Sequence, residues 1–200
     1  MTADAVLDVA AELVKRQGTA ALTMRGLAAE LGTAVTSIYW HVGNRDELLD
    51  ALAERTVREL SVVRAEGATP AARVVHLLQG LRRELRSHPH LIALAHERGL
   101  TERMFHPAQR ALVHEVHAAG LRGRRAARAV RVLTFHAVGF VLVERNRERA
   151  PAPHPAEAEL WDVPAAQNDA VLAREMAGPV DTERLYAASL EALVAGLFGA

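Results

Sequence analysis

The sequence predicts an all-α fold, and three observations support that prediction. Alanine, leucine, arginine and glutamate, which all favour helices, dominate the chain of 200 residues. Long runs of alternating apolar and polar residues, which are typical of half-buried strands, are missing. Glycine and proline separate segments in which apolar residues recur with helical spacing. The spacing of these breaks predicts about nine to ten helices.

Three short helices are predicted in the first 45 residues. The first covers about residues 2–16 and ends before Gly18, because glycine often follows the last turn of a helix. The second begins after the N-cap candidate Thr23 and ends at Gly32. The third begins after Thr33, another N-cap candidate, and ends near His41.

A long fourth helix is predicted to follow Asn44, which forms a capping-box pair with Glu47. A proline-rich run at residues 150–155 favours extended geometry and predicts a surface loop. The remaining helices are predicted at about residues 70–87, 90–97, 105–119, 123–148, 164–177 and 182–198, with breaks at His88–Pro89, Gly99, Pro107, Gly120 and Gly178–Pro179. The chain should therefore divide into a head of residues 1–45 and a helical body of residues 46–200.

The composition excludes several classes of protein. The chain has no cysteine, so disulfides, thiolate metal sites and thiol nucleophiles are excluded. No uninterrupted apolar run is long enough for a membrane span, and the first residues do not resemble a secretory signal. These observations predict a cytoplasmic protein with no membrane partner.

The segment from Thr23 to Leu49 carries most of the functional information. Helices of seven or eight residues are unstable alone, so Leu27, Leu31 and Ile38 must pack them together. The turn at Gly32 needs a residue that adopts a positive φ angle. The outer face of the third helix then presents small polar groups and a phenol, without any acid: Thr33, Val35, Thr36, Ser37, Tyr39 and His41. Such a face suits the major groove of DNA.

The segment also resembles a known family. Ser37-Ile-Tyr-Trp-His-Val and Asn44-Arg-Asp-Glu-Leu-Leu are similar to the diagnostic stretch of the TetR family, and the resemblance covers about residues 5–60. It implies a three-helix, helix-turn-helix DNA-binding head on a helical body that binds a ligand and dimerises. The expected function is that of a ligand-released repressor that binds a near-palindromic DNA operator as a homodimer.

The resemblance also implies roles for single residues. Thr23 would contact a phosphate and Arg25 a base or a phosphate, while Trp40 would pack between the third and fourth helices. At the two positions expected to contact bases, this chain has Val35 and Thr36, where the tetracycline repressor has an amide side chain and a proline. A different operator is therefore expected. The expected DNA-binding residues are Thr23, Arg25, Thr33, Val35, Thr36, Ser37, Tyr39, His41 and Arg45. Capping or core packing alone remains an alternative role for the threonines and aromatic residues.

The charge balance of the head tempers the expected affinity for DNA. The chain has a formal net charge of zero, and residues 1–60 carry nine acids against six bases. Phosphate responds to the local field within about one Debye length. Modest non-specific DNA binding is therefore expected.

Two surfaces are predicted in the body. Apolar and small residues on two long helices predict a homodimer interface: Val138, Val141, Leu142, Ala188, Ala192, Leu193 and Leu197. The alternative is that these stripes face only the body's own core. Polarizable, aromatic and titratable side chains are the candidates for the pocket of a small-molecule effector of unknown identity: His96, Met104, Phe105, His136 and Phe140. Core or surface packing remains the alternative for each of them.

No cofactor, metal site or catalytic motif is predicted. The ten histidines include His114 and His117 at a spacing of three, but zinc needs three or four convergent ligands. Two other hypotheses stay open: a ligand- or metal-binding helical protein whose head no longer binds DNA, and a helical hydrolase that uses histidines. The sequence also leaves open whether a regulator of this kind represses or activates.

Overall fold

The computed structural model describes residues 1–60, 64–149 and 169–199, which form α-helices and no β-strand. The helices are α1 (Ala3–Gln17), α2 (Met24–Glu30), α3 (Val35–Val42), α4 (Arg45–Leu60), α5 (Pro70–Ser87), α6 (Pro89–Glu97), α7 (Thr101–Ala118), α8 (Gly123–Arg149), α9 (Ala170–Ala177) and α10 (Thr182–Phe198). A short 3₁₀ turn covers Thr19–Ala21. The all-α prediction is confirmed. The predicted loop at 150–155 and the start of the helix predicted at 164–177 lie outside the described residues.

The predicted break at Pro107 is wrong. Pro107 lies inside α7, which begins at Thr101 instead of near residue 105. A proline inside a helix removes one backbone hydrogen bond and disfavours the helix. Here Met104, Phe105 and Ala108 are buried in the core on either side of it, so packing offsets that cost.

The helices of the head pack around a core of their own. It is formed by apolar residues of α1, α2 and α3 together with Leu48, Leu49 and Leu52 from the first half of α4. Two residues of α6, Leu91 and Leu94, belong to the same cluster. The head is therefore anchored directly on the first helices of the body.

Two turns of the head follow the predicted chemistry. Gly32, between α2 and α3, has a φ angle of 61°, which only glycine adopts without strain. At the start of α4, the side-chain oxygen of Asn44 accepts the amide of Glu47 at 3.0 Å. The Glu47 carboxylate accepts the amide of Asn44 at 2.7 Å. The capping box is confirmed, and it fixes where α4 leaves the head.

The body packs around a second core. Residues of α5, α7, α8 and α10 form it, and Val57 and Leu60 from the second half of α4 join them. Helix α4 thus contributes to both cores. Any shift of α4 relative to the body must move the head as well.

By length and composition, α8 could cross a membrane over Gly123–Glu148. Core helices of globular domains pass the same test. In this structure α8 packs against α5, α7 and α10, and part of its apolar surface is buried there.

Candidate nucleic-acid interface

One face of α3 is open to solvent. Ile38 is fully buried in the core of the head, and Val35 is half-buried against it. Thr36, Tyr39 and Trp40 point outward, and Tyr39 keeps 49% of its surface exposed. Ser37 and His41 are half-buried at the edges of this face. The head therefore presents a hydroxyl, a phenol and an indole on a short helix without acids.

The prediction that Trp40 packs between α3 and α4 is wrong. Its indole is 86% exposed, the largest exposure among the large apolar residues of the described chain. Ile38, two positions earlier, fills the buried side of α3, so Trp40 falls on the opposite side.

The N-terminus of α3 is suited to an anion. Its N-cap residue is Ala34, so the prediction of Thr33 as the cap is wrong, and no side chain accepts the amides of the first turn. The first turn contains no acid. Free amide groups and the positive end of the helix dipole attract phosphate.

Helix α2 supports this surface. The Thr23 hydroxyl oxygen accepts the amide of Gly26 at 3.0 Å, so its predicted capping role is confirmed. Arg25 is exposed, and its guanidinium forms no ion pair within the described parts of the chain. The side chain is available for a ligand at the head surface.

Arg45 has a structural role that the sequence did not reveal. Its guanidinium donates to the backbone carbonyls of Leu22 and Thr19, both at 2.8 Å. These bonds tie the start of α4 to the turn before α2. Contact between Arg45 and a DNA phosphate remains a prediction.

Three acids of α4 form ion pairs with arginines of the body. Arg98 of the body contacts Asp46 at 3.1 Å and Asp50 at 2.8 Å, and Arg103 contacts Glu54 through two hydrogen bonds. These three carboxylates project from one side of α4, at spacings of four residues. These ion pairs hold α4 to the end of α6 and the start of α7.

A separate cavity lies in the body between α8 and the start of α10. Its volume is about 380 Å³, and its walls include Phe135, His136, Phe140, Glu144 and Thr182. The His136 ring stacks on Tyr186 at 5.5 Å between centroids, and Phe140 meets Tyr186 edge-on at 5.0 Å. Burial lowers the pKa of His136 below its ordinary value. This wall offers flat apolar surfaces and one imidazole whose neutral form is favoured by burial.

Behind the cavity lies a buried ion pair that sequence reasoning missed. Arg82 of α5 donates to both oxygens of Glu144, at 2.6 and 3.1 Å, and both residues are almost fully buried. Burial alone would raise the pKa of Glu144, but hydrogen bonds from Arg82 and Thr182 and the charges of Arg82 and Arg86 leave it below its ordinary value. Tyr186 donates to the Leu78 carbonyl at 3.0 Å, and burial raises its pKa. One signal was available, since Arg82 and Glu144 interrupt the apolar stripes of their helices with opposite charges.

The five predicted pocket residues do not converge. His136 and Phe140 line the cavity. Met104 and Phe105 are buried in the core of the body, where they contact no such space. His96 is exposed at the end of α6, with Nδ1 2.8 Å from the Thr101 hydroxyl. Only the pair on α8 remains a candidate for binding a ligand in this cavity.

The predicted dimer residues separate into three groups by exposure. Leu142, Ala188 and Ala192 are exposed, while Val138, Leu193 and Leu197 are half-buried. Val141 is only 4% exposed and belongs to the body's own core, so it offers no surface to a partner. The sequence analysis missed two exposed apolar residues of α8, Phe135 and Val143. Leu185 of α10, which continues the helical spacing of the predicted stripe, is exposed as well.

Within the described residues, no three histidine or acidic side chains are grouped so that they could hold a metal ion.

Comparison with known proteins follows the same division of the chain. The family described as "Bacterial regulatory proteins, tetR family" matches residues 6–52, and "Tetracyclin repressor-like, C-terminal domain" matches residues 65–199. An HTH-type transcriptional regulator of Saccharopolyspora erythraea is 35% identical over 50% of this chain and 42% of its own length. The HTH-type transcriptional repressor DrrR1 of Streptomyces coeruleorubidus is 27% identical over 86% of this chain and 65% of its own length. The chain thus spans less than two thirds of either relative.

A solved structure with the same fold is that of apo ActR from Streptomyces coelicolor. It is 28% identical, with a TM-score of 0.70 over 100% of this chain and 95% of ActR. ActR has also been solved in complex with actinorhodin, at 28% identity and a TM-score of 0.65 over 100% of this chain and 97% of that one. The Saccharopolyspora and Streptomyces coeruleorubidus relatives are transcriptional regulators and not enzymes. The chain belongs to the TetR family of DNA-binding transcriptional regulators.

Proposed function

We propose that the chain is a homodimeric cytoplasmic repressor that binds a near-palindromic operator and is released from it by a small ligand. The exposed face of α3 carries the proposal. Thr36, Tyr39 and Trp40 project from a helix of the right width for the major groove, and Val35 lies beside them to contact a thymine methyl group. The uncapped N-terminus of α3 adds an attraction for phosphate.

The apolar surface of α8 and α10 supports the homodimer. Phe135 is 77% exposed and Leu142 is 55% exposed, so two large apolar side chains of α8 are left uncovered in the single chain. Ala188 and Ala192 on α10 allow a second helix to approach closely. A two-fold axis through this surface would present two α3 helices to one side of the duplex, about 34–36 Å apart, and so require a symmetric operator.

The connection between body and head supports release by a ligand. Arg98 directly follows α6, and Arg103 lies in the first turn of α7. Both form ion pairs with carboxylates of α4. A ligand that binds more tightly to one arrangement of these helices would move α4 and change the spacing of the heads. DrrR1 is named a repressor and ActR has been solved with actinorhodin, which favours the same arrangement for this chain.

A single charge on α3 tests the proposal in a band-shift assay with DNA flanking the gene. The substitution Thr36→Asp places a carboxylate in the first turn of α3, where the helix dipole stabilises it. The variant should fold like the parent but lose the shift, because the carboxylate faces phosphates. Ala170→Asp, at an exposed position at the start of α9, is the matched control and should bind normally. Equal shifts for parent and Thr36→Asp would contradict the proposal.

The excess of acids over bases in residues 1–60 favours one alternative, a body that binds ligands on a head that no longer binds DNA. A true DNA contact releases counterions, so affinity must fall steeply as salt rises. A parent protein whose DNA affinity is flat between low and physiological salt would favour the alternative.

A further inference from the structure

A strongly positive surface of the described chain lies outside the head, where α7 meets the first half of α8. Arg124, Arg128 and Arg131 follow one another at helical spacing on α8, and Arg110 lies on α7. All four are exposed. The sequence from Val116 to Val143 contains no aspartate or glutamate. We call these four residues the arginine stripe.

The stripe is electrostatically unfavourable in the isolated protein. Like charges at spacings of three and four residues repel one another on a helix. Arg124 also lies in the first turn of α8, at the positive end of the helix dipole. No carboxylate lies within ion-pair distance of any of the four guanidinium groups in the part of the chain that the structure describes. An anionic ligand would relieve this repulsion.

A groove beside the stripe has a different character. It has a volume of about 570 Å³, within the range of small-molecule sites. Val113 from α7 and Ala127 and Val130 from α8 form an apolar floor. Two members of the stripe, Arg110 and Arg131, flank this floor. The rest of the rim is polar: Glu102, His106 and Gln109.

The two features together define the ligand. Four guanidinium groups exceed what one carboxylate needs, and arginine binds phosphate oxygens in a bidentate manner. A bare polyanion such as a nucleic-acid backbone would leave the apolar floor uncovered. We infer that the groove between α7 and α8 binds an amphiphile with a multiply charged phosphate head on the arginine stripe and an apolar tail over Val113. This site is separate from the cavity of His136 and Phe140, with which it shares no residue.

Titration calorimetry with three probes tests the inference on the full-length protein. Decanoyl-coenzyme A carries both head and tail, coenzyme A only the head, and decanoate only the tail. Decanoyl-coenzyme A should bind at least about tenfold more tightly than either partial probe. Its affinity should fall as salt rises, because charged contacts are screened. Absence of binding by decanoyl-coenzyme A, or equal affinity for it and decanoate, would overturn the inference.

Variants locate the site. The triple variant Arg124→Ala, Arg128→Ala and Arg131→Ala relieves repulsion, so it should fold, and should bind decanoyl-coenzyme A about tenfold more weakly. Val113→Glu, at an exposed position on the groove floor, should reduce binding through the tail. Arg83→Ala, at an exposed arginine of α5, is the control and should bind like the parent.

Two outcomes would assign the stripe to another role. If the triple variant changed the mass of the particle in sedimentation, the stripe would be a subunit contact. If it lost affinity for random duplex DNA but kept that for decanoyl-coenzyme A, the stripe would be a DNA contact. Either result would contradict the inference, whatever the outcome of the Thr36→Asp band shift.

Discussion

At the scale of single residues, Arg25 is a basic group of the head with exposed surface and no ion-pair partner among the described residues. We expect Arg25→Ala to weaken operator binding by about 1–3 kcal/mol, the usual effect of losing one specific contact to a base. The unfolding temperature should not change, because no contact within the protein is lost. Fluorescence anisotropy of labelled operator measures the affinity. An unchanged affinity would remove Arg25 from the interface.

Gly32 has a positive φ angle and open space where a Cβ atom would lie. An alanine there would be strained by its backbone conformation alone. Gly32→Ala should therefore destabilise the protein by about 1–2 kcal/mol in urea unfolding. Gly139→Ala is the control, since Gly139 lies inside α8 with similarly open space, and alanine favours helices. A loss of stability in Gly139→Ala but not in Gly32→Ala would contradict the account of the turn.

His136 makes stability depend on pH. Burial lowers its pKa in the folded state, so the unfolded chain binds the proton more readily. The contribution of His136 is complete above its unfolded pKa of about 6.5 and is lost as the pH falls below that value. The free energy of unfolding should decrease from pH 7.5 to pH 5.5, and less so in His136→Phe. Identical pH profiles for the two proteins would exclude this role.

At the scale of the elements, the buried pair of Arg82 and Glu144 joins α5 to α8. Glu144→Gln would leave the Arg82 charge buried with Glu183 as its one remaining carboxylate among the described residues, at 2.6 Å. Breaking a buried pair in this way costs about 3–5 kcal/mol. Glu148→Gln is the control, because its pair with Arg86 is exposed and contributes at most about 1 kcal/mol. Equal unfolding free energies for the two variants would show that the buried pair has no special weight.

The elements also show what the sequence could predict. Caps and glycines determined the ends of most helices, because Thr23, Gly32 and Asn44 act through local geometry. The predicted break at Pro107 was wrong because burial of Met104, Phe105 and Ala108 outweighs the loss of one backbone hydrogen bond at the proline. The prediction for Trp40 was wrong because hydrophobicity alone does not say which side of a short helix a residue occupies. Ile38 already fills the buried side of α3, and Trp40 lies on the other side.

At the scale of the whole molecule, the proposed homodimer would cover the exposed apolar face of α8 and α10. Ala192→Asp would place a charge in this face without disturbing the core, since Ala192 is exposed in the single chain. Sedimentation should show a particle of twice the chain mass of 21.7 kDa for the parent and of one chain mass for the variant. Ala118→Asp, at an exposed position of α7, should sediment like the parent. A parent that sediments as a single chain would contradict the dimer.

The sequence alone did not predict which helix faces are buried in the folded molecule. The dimer stripe was predicted from spacing, yet Val141 turned out to lie in the core, because α8 packs against several helices and more than one of its faces is apolar. Of the pocket residues, Met104 and Phe105 were chosen for their chemistry, and the same chemistry suits a core. The division of the chain after residue 45 stays a prediction.

Selection from a random DNA library, followed by footprinting of the enriched sequence, tests the role of α3 most directly. The account predicts two inverted half-sites about one helical turn apart, both protected by one dimer, and no enrichment with Thr36→Asp. Enrichment of a sequence without two-fold symmetry, or of the same sequence by parent and Thr36→Asp, would contradict it.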